Sequence, residues 1–329
     1  MKLLKRLRNF LSKIYFILKY LISIVNIHIK ETILHDKLDN IENKGLNMLN
    51  QIKKVGIVGS GFMGRQIALW IASFGYSINL YDSNPEVLKK AESFIVKALQ
   101  RKNIDDPQGK VQLISVLDNV ATNAELIIEA VPEDLDLKIE IFRQLDRSSS
   151  STTILATNSS SFPVSYIEDS VIKKQRLLNL HFYPPIHERP MIDIMRGSET
   201  SDEVFNQGIE WIKSIECYPL VVKKELMGFV FNRIWHTVKK ECIHMWAGEY
   251  ADIETIDKAW QIFTGMKMGP FQMMDGIGLD VAYSVEMSYY RESGDPKDKP
   301  PKAFEDMVKN GELGLKTGKG FYEYRRRLK

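Results

Sequence analysis

A histidine at position 181 and an aspartate twelve residues on, Asp193, are the residues in this chain best suited to move a proton. A carboxylate on the far nitrogen of an imidazole holds it in one tautomer and supports the imidazolium once a proton is taken up. Ser160 ends an earlier strand-like run, and Asn232 begins a later helical one; both offer groups that bind a hydroxyl or carbonyl. A histidine base, an orienting carboxylate and two such groups are what oxidation of an alcohol by a nicotinamide cofactor requires. The cofactor signal stands far upstream, in Gly59-Ser60-Gly61-Phe62-Met63-Gly64. In that pattern the first glycine permits a tight turn and the second lets the backbone approach a pyrophosphate. The third allows close helix–strand packing, and the helix N-terminus offers free N–H groups to the phosphates.

These residues need elements to hold them. The glycine turn follows the apolar run Val55-Gly56-Ile57-Val58 and opens into a helix, where Ile67, Trp70, Ile71 and Phe74 recur at helical spacing. A second strand, Ile78 to Tyr81, ends in Asp82, eighteen residues after Gly64. A carboxylate there accepts from the ribose hydroxyls and repels a 2′-phosphate, so NAD is expected rather than NADP. Pro85 suits a first helical position, with Val87 to Leu99 continuing the helix and Lys97, Arg101 and Lys102 clustered at its end. Strands are expected at Ile114–Val116, Leu126–Val131, Thr153–Thr157, Arg176–His181 and Met191–Arg196, and a helix from Leu135 to Leu145 capped by Asp134.

Repeated β-α units of this length imply a doubly wound, mostly parallel sheet of the Rossmann type, with ligands at the carboxyl ends of its strands. Those ends are Gly59, Asp82, Val131-Pro132-Glu133, Asn158-Ser159-Ser160 and His181, which makes Asn158 a further cofactor candidate. Beyond Val222 the pattern becomes all-helical. The stripe Phe231, Ile234, Trp235, Val238, Cys242, Met245 and Trp246 reads as core. The expected division is thus an extension over 1–50, an NAD-binding domain over 51–222 and a helical substrate and dimerisation domain over 223–329.

Composition bounds the partners. Of 329 residues, 44% are hydrophobic and 26% charged, as in ordinary globular proteins. The net charge of +3 comes from the first fifty residues, with nine Lys/Arg against four Asp/Glu; the remainder holds 36 against 38, so nothing suggests nucleic acid. Cys217 and Cys242 are the only cysteines, which excludes a disulfide framework or a CxxC metal site and fits a reducing cytoplasm. In residues 1–30 seven basic residues precede the first acid, Glu31, and an interrupted apolar run covers Ile14 to Ile29. That run is short of the ~20 residues that span a bilayer. Either it lies on an anionic membrane surface, or translation begins at Met48, or it is an incidental tail.

From about residue 53 to 324 the chain resembles the L-3-hydroxyacyl-CoA dehydrogenases. The resemblance is carried by Gly59–Gly64, Glu129-Ala130-Val131-Pro132-Glu133, Thr157–Ser161 and His181-Phe182 with Pro185. It continues in Gly228–Arg233, Met268-Gly269-Pro270-Phe271 and Lys316–Tyr322. The resemblance implies an active site of Ser160, His181, Asn232 and residue 193, an NAD site lined by Asp82, Glu133 and Lys138, and a homodimer formed through the helical domain. It also implies oxidation of a 3-hydroxyacyl-CoA to the 3-keto product with His181 as general base.

Three departures bear on that. The family's glutamate is Asp193, one methylene shorter, so the dyad is expected to need a backbone shift or a bridging water. The His-Phe-Phe-Asn-Pro pattern reads His181-Phe182-Tyr183-Pro184-Pro185, losing a polar side chain beside the histidine. The stretch from Asp82 to Glu133 is short for the helical hairpin that reaches coenzyme A, leaving Lys97, Arg101 and Lys102 as candidates for its phosphates. The shortening also resembles the relatives that oxidise gulonate or carnitine, so a free 3-hydroxy acid or related small alcohol is the alternative substrate.

Overall fold

The structure is a computed structural model and describes residues 52–104, 106 and 110–324. The expectations for the basic extension, including membrane-surface contact and a start at Met48, lie outside the described residues.

Eight strands form one sheet, β1 (Lys54–Val58), β2 (Ser77–Tyr81), β3 (Val111–Ile114), β4 (Leu126–Glu129), β5 (Ile154–Thr157), β6 (Leu177–Phe182), β7 (Met191–Arg196) and β8 (Tyr218–Val222). Their spatial order is β3-β2-β1-β4-β5-β6-β7-β8, with every neighbouring pair parallel except β6 and β7. The central strands β4, β5 and β6 are buried along their whole length, as expected where helices cover both faces. The chain leaves β1 toward β3 and returns to β4, so the strand order reverses at the β1–β4 crevice, the place where such sheets bind ligands.

Helices α1 (Phe62–Ser73), α2 (Pro85–Arg101), α3 (Leu135–Ser148) and α4 (Asp202–Ser214) connect the strands. Their starts are chemically fixed. The Asn84 side chain accepts from the Glu86 N–H at 3.0 Å, and Asp134 Oδ1 from the Leu137 N–H at 3.0 Å. The third strand begins earlier than the sequence suggests, at Val111 rather than Ile114, because Val111–Ile114 pairs with Ile78–Tyr81 while Val116 is exposed at the following turn. Helix α4 and strand β8 extend the sheet side beyond the sequence-based expectation.

After β8 the described chain is helical: α5 (Phe231–Ala247), α6 (Ile253–Thr264), α7 (Pro270–Ile277), α8 (Leu279–Ser293) and α9 (Lys302–Lys309). Cys242, Ile243, Ile256, Phe271, Met274, Leu279, Phe304 and Phe321 form its core. Two buried carboxylates tie it together. Asp257 accepts from the Phe271 N–H at 2.8 Å, and Asp275 from the Phe321 and Tyr322 N–H groups at 3.0 and 2.9 Å. The Gly-Pro-Phe and Gly-Phe-Tyr segments of the sequence are therefore structural joints.

The apolar stripe of α5 is core only in its second half. Phe231 and Ile234 are exposed, whereas the buried face of the first half carries His236 and Lys239. A polar cluster described below occupies the inward face, so the apolar residues point outward.

Candidate active site

The glycine turn sits at the β1–β4 crevice, and its glycines differ in what surrounds them. A methyl group on Gly64 would come within 1.8 Å of the Gly59 carbonyl oxygen, and one on Gly59 within 2.6 Å of that of Ala130. At Gly61 a methyl group would meet nothing within 4 Å. The outer glycines thus close the turn, and the middle one leaves open the space at the start of α1 into which a pyrophosphate fits. Phe62 and Met63 begin the helix, with Phe62 exposed. Asp82 follows β2, on the other side of β1 from β4; its Oδ2 accepts from the backbone N–H and hydroxyl of Ser60 at 2.8 and 3.0 Å and its Oδ1 from the Asn84 N–H at 2.9 Å. One carboxylate thus braces the turn beside the position of an adenosine ribose, so the residues present fit NAD.

At the carboxyl end of β4, Lys138 of α3 is only 1% exposed, with its ammonium 2.7 Å from Glu129 and 3.2 Å from Glu133. Burial pushes the Glu129 carboxyl upward, against Lys138 and the donors Thr157 and Val131. Burial also raises Glu133, but Lys138 with Ser159 and Ser161 outweighs it, and the carboxyl is held below its usual range. Glu133 in turn accepts from the Ser159 hydroxyl at 2.5 Å and the Ser161 N–H at 3.0 Å. Lys138 therefore fixes the Glu133 loop from beneath. Asn158 is also committed to the fold, accepting from the Phe182 N–H at 3.0 Å. With Ser159 bound to Glu133, Ser160 and Ser161 are the exposed members of the run and both line an adjacent pocket.

His181 and Asp193 are brought together. They are directly paired across the antiparallel β6–β7 ladder, which places both side chains on one face. Nδ1 of His181 is 3.1 Å from Asp193 Oδ2, and both residues are buried. The contact of the shorter aspartate is direct, so the dyad closes without a bridging water. The Tyr183 hydroxyl donates to the same Oδ2, and the Val230 N–H lies 3.4 Å from Oδ1. Burial and the Asp193 carboxylate push the Tyr183 phenol far above its usual range, so it remains a donor. The changed sequence after the histidine thus has Pro184 where the pattern has an asparagine, and gains a hydroxyl on the dyad from Tyr183.

Tyr183, just past the end of β6 and two residues after His181, has no sequence signal that marks it as part of the dyad. Phe229 is another such residue. Its ring stacks on His181, 4.8 Å between centroids and 17° between planes.

Phe229 connects the dyad to a pocket of about 180 Å³, which its neighbours Gly228 and Asn232 line together with Ser160, Trp235, Lys239 and Tyr289. Ser160 and Asn232 thus share one pocket, and His181 is linked to it through the stacked ring of Phe229 without lining it. An imidazole whose Nδ1–H is committed to Asp193 presents the lone pair of Nε2 to a substrate hydroxyl.

The basic cluster is not part of this site. Helix α2 begins at the carboxyl end of β2 and runs back along the sheet for about 25 Å at 1.5 Å per residue. Lys97, Arg101 and Lys102 consequently lie toward the opposite edge, where Lys102 rests 5.6 Å from the ring centre of Trp70. Between α2 and β3 the described residues form no second helix. No group of three or more His, Cys, Asp or Glu residues suited to a metal occurs among the described residues.

Comparison with known proteins agrees with this arrangement. Residues 54–226 match the family model "3-hydroxyacyl-CoA dehydrogenase, NAD binding domain", and residues 228–324 match "3-hydroxyacyl-CoA dehydrogenase, C-terminal domain". A probable 3-hydroxyacyl-CoA dehydrogenase of Caenorhabditis elegans is 32% identical over 294 residues, covering 84% of this chain and 94% of that one. A 3-hydroxybutyryl-CoA dehydrogenase of Clostridioides difficile is 33% identical over 279 residues, covering 82% and 99%. The crystal structure of (S)-3-hydroxybutyryl-CoA dehydrogenase from Ralstonia eutropha superposes with a TM-score of 0.78 at 29% identity, covering 84% of this chain and all of that one. Two consecutive family models spanning the glycine turn, the histidine dyad and the helices beyond them place the chain in the NAD-binding 3-hydroxyacyl-CoA dehydrogenase family.

Proposed function

We propose that the protein oxidises the 3-hydroxyl of a 3-hydroxyacyl-CoA to the 3-keto product, with NAD as acceptor and His181 as general base. The observation that carries this is the direct His181–Asp193 contact beside a pocket lined by Ser160 and Asn232. Bound NAD supplies the hydride acceptor. His181 takes the hydroxyl proton on Nε2, and Asp193 supports the imidazolium that forms. Ser160 and Asn232 hold the substrate oxygen, Asp82 favours NAD over NADP, and Glu133 shapes the nicotinamide side of the crevice.

Formation of NADH with 3-hydroxybutyryl-CoA, compared with free 3-hydroxybutyrate, gulonate and carnitine, tests the reading. Turnover restricted to free compounds would replace it with the free-acid alternative. The absence of a second helix among the described residues between α2 and β3, with the remote position of Lys97, Arg101 and Lys102, favours that alternative.

The functional division follows the same lines, an NAD-binding part over 51–222 and a helical part over 223–329. A homodimer through the helical part is supported by Ile262 and Phe263, which are 73% and 93% exposed on α6, and by the outward Ile234 on α5. Light scattering of a Phe263→Lys variant should report a monomer. A reducing compartment such as the cytoplasm fits Cys217 and Cys242, both free and buried.

A further inference from the structure

Tyr289 of α8 is a buried polar residue of the pocket to which the proposed mechanism gives no part. It is 4% exposed, lines the pocket with Ser160 and Asn232, and its hydroxyl makes no hydrogen bond to another described residue. The ring is braced from one side. It stacks on His236, 3.7 Å between centroids and 9° between planes, and Nδ1 of His236 is 2.6 Å from Glu286 Oε2. Lys239 completes this polar cluster on the inward face of α5, with its ammonium 2.5 Å from Glu286 Oε1. The Tyr289 hydroxyl reaches beyond the cluster to the loop ahead of α5, where a methyl group on Gly228 would come within 1.8 Å of it. Glycine at 228, with φ +78°, leaves the space that the phenol oxygen occupies. The next residue, Phe229, carries the ring stacked on His181. The hydroxyl therefore stands at the histidine end of the pocket.

A buried hydroxyl without a partner is uncommon in a folded chain and calls for a reason. Burial pushes this phenol up to about 12, so it meets a ligand as a donor throughout the neutral range. A donor there needs an oxygen acceptor. In a 3-hydroxyacyl group the 3-oxygen is held by Ser160 and Asn232 and gives its proton to His181. The other acceptor of the reacting segment is the oxygen on C1, two carbons away. A donor deep along the acyl chain would meet only hydrocarbon, whereas one beside Gly228 stands near the reacting segment.

Resting on the function proposed above, we infer that the Tyr289 hydroxyl donates to the C1 oxygen of the bound hydroxyacyl group. Tyr289 is then a third substrate-binding side chain beside Ser160 and Asn232, and it fixes the segment from C1 to C3. A thioester and a free acid both carry that oxygen, so the contact does not depend on coenzyme A.

The test is Tyr289→Phe, which keeps the ring and its stack on His236 and removes only the hydroxyl. Because that hydroxyl has no partner among the described residues, the melting temperature should not fall. The kcat/KM for 3-hydroxybutyryl-CoA should drop about tenfold, mainly through KM. The control ligand is the thioether S-(3-hydroxybutyl)-CoA, which keeps the 3-hydroxyl and lacks the C1 oxygen. Its inhibition constant should agree between wild type and variant within a factor of about two. A drop in kcat/KM of less than about threefold overturns the inference. So does a thioether whose inhibition constant worsens as much as the substrate's kcat/KM, because the hydroxyl then acts elsewhere than at C1. A variant that melts several degrees lower or fails to fold also overturns it, because the hydroxyl then serves the fold. Turnover of free acids but of no thioester would defeat the coenzyme A reading alone. The drop in kcat/KM for 3-hydroxybutyrate, at an unchanged melting temperature, would then decide the inference.

Discussion

Asp193 stands directly across the β6–β7 ladder from His181 and accepts from it at 3.1 Å, while its two oxygens also meet the Tyr183 hydroxyl and the Val230 N–H. A buried carboxylate with this many donors is held in place, which an orienting group must be. Replacing it by a neutral isostere removes the charge and leaves the shape. Asp193→Asn is therefore expected to fold normally and to lower kcat on the order of 10²-fold, approaching His181→Ala. Steady-state kinetics with near-wild-type NAD affinity checks this; unimpaired turnover would mean that His181 is oriented from elsewhere.

Tyr183 shares Asp193 without touching the imidazole nitrogen that faces substrate. Tyr183→Phe should cost about 1–3 kcal/mol in stability, because an acceptor loses a donor in a buried setting. The fall in kcat should be well below that of Asp193→Asn. Thermal unfolding beside kcat separates the two effects, and a loss as deep as that of the aspartate variant would give the phenol a part in the chemistry.

The three glycines of the turn should part company on substitution. Gly61→Ala meets open space and should fold, yet raise KM for NAD where the backbone must approach the phosphates. Gly64→Ala drives a methyl group to 1.8 Å from a carbonyl oxygen and should lower the melting temperature or abolish folding. Equal NAD affinity in Gly61→Ala and wild type would disprove the cradle.

Reversal of the basic cluster should be silent. The double variant Arg101→Glu with Lys102→Glu ought to keep KM for any acyl-CoA substrate within a factor of about two, since those side chains occupy the opposite edge of the sheet. A rise of an order of magnitude would show that the coenzyme reaches that edge.

The thiols supply a pH prediction. Burial pushes Cys217 up to about 11, and burial together with nearby Asp257 and Glu241 pushes Cys242 up to about 12. A raised thiol pKa means the protonated form persists well above its unfolded value. From pH 7 to 9 neither cysteine should react with a disulfide reagent in the native protein, and both should react after denaturation. Rapid native labelling would contradict the burial.

What the sequence reveals depends on range. The glycine turn, the strand that precedes it and Asp82 are legible because they obey local rules within thirty residues. His181 and Asp193 are legible as candidates, but their contact needs the antiparallel register, which spacing alone does not specify. Phe229 and Val230 reach the dyad from a different segment, so no local signal announces them. Lys97, Arg101 and Lys102 stand out in the sequence by charge alone, and charge does not carry the direction of their helix. A helix that follows a parallel strand carries its end away from the ligand edge. In α5, helical periodicity identifies an apolar face, but packing decides which way it points.

The β6–β7 pairing has a bearing on which changes the chain can absorb. Loops normally accept insertions and deletions easily, and residues 183–190 connect two strands through a segment that is buried at Tyr183 and Ile186 and exposed over 187–190. Here, however, adding or deleting one residue could be accommodated only by slipping the ladder or by bulging the turn. A slip by one position turns every side chain of β7 to the other face and sets Ile192 or Ile194 opposite His181. The sheet core, already apolar on both sides, would accept the exchanged isoleucines more readily than the chemistry would accept the lost carboxylate. Length changes in this connection are thus expected to yield folded, inactive proteins, and the spacing of twelve between His181 and Asp193 is a quantity selection must hold fixed even where the intervening residues vary.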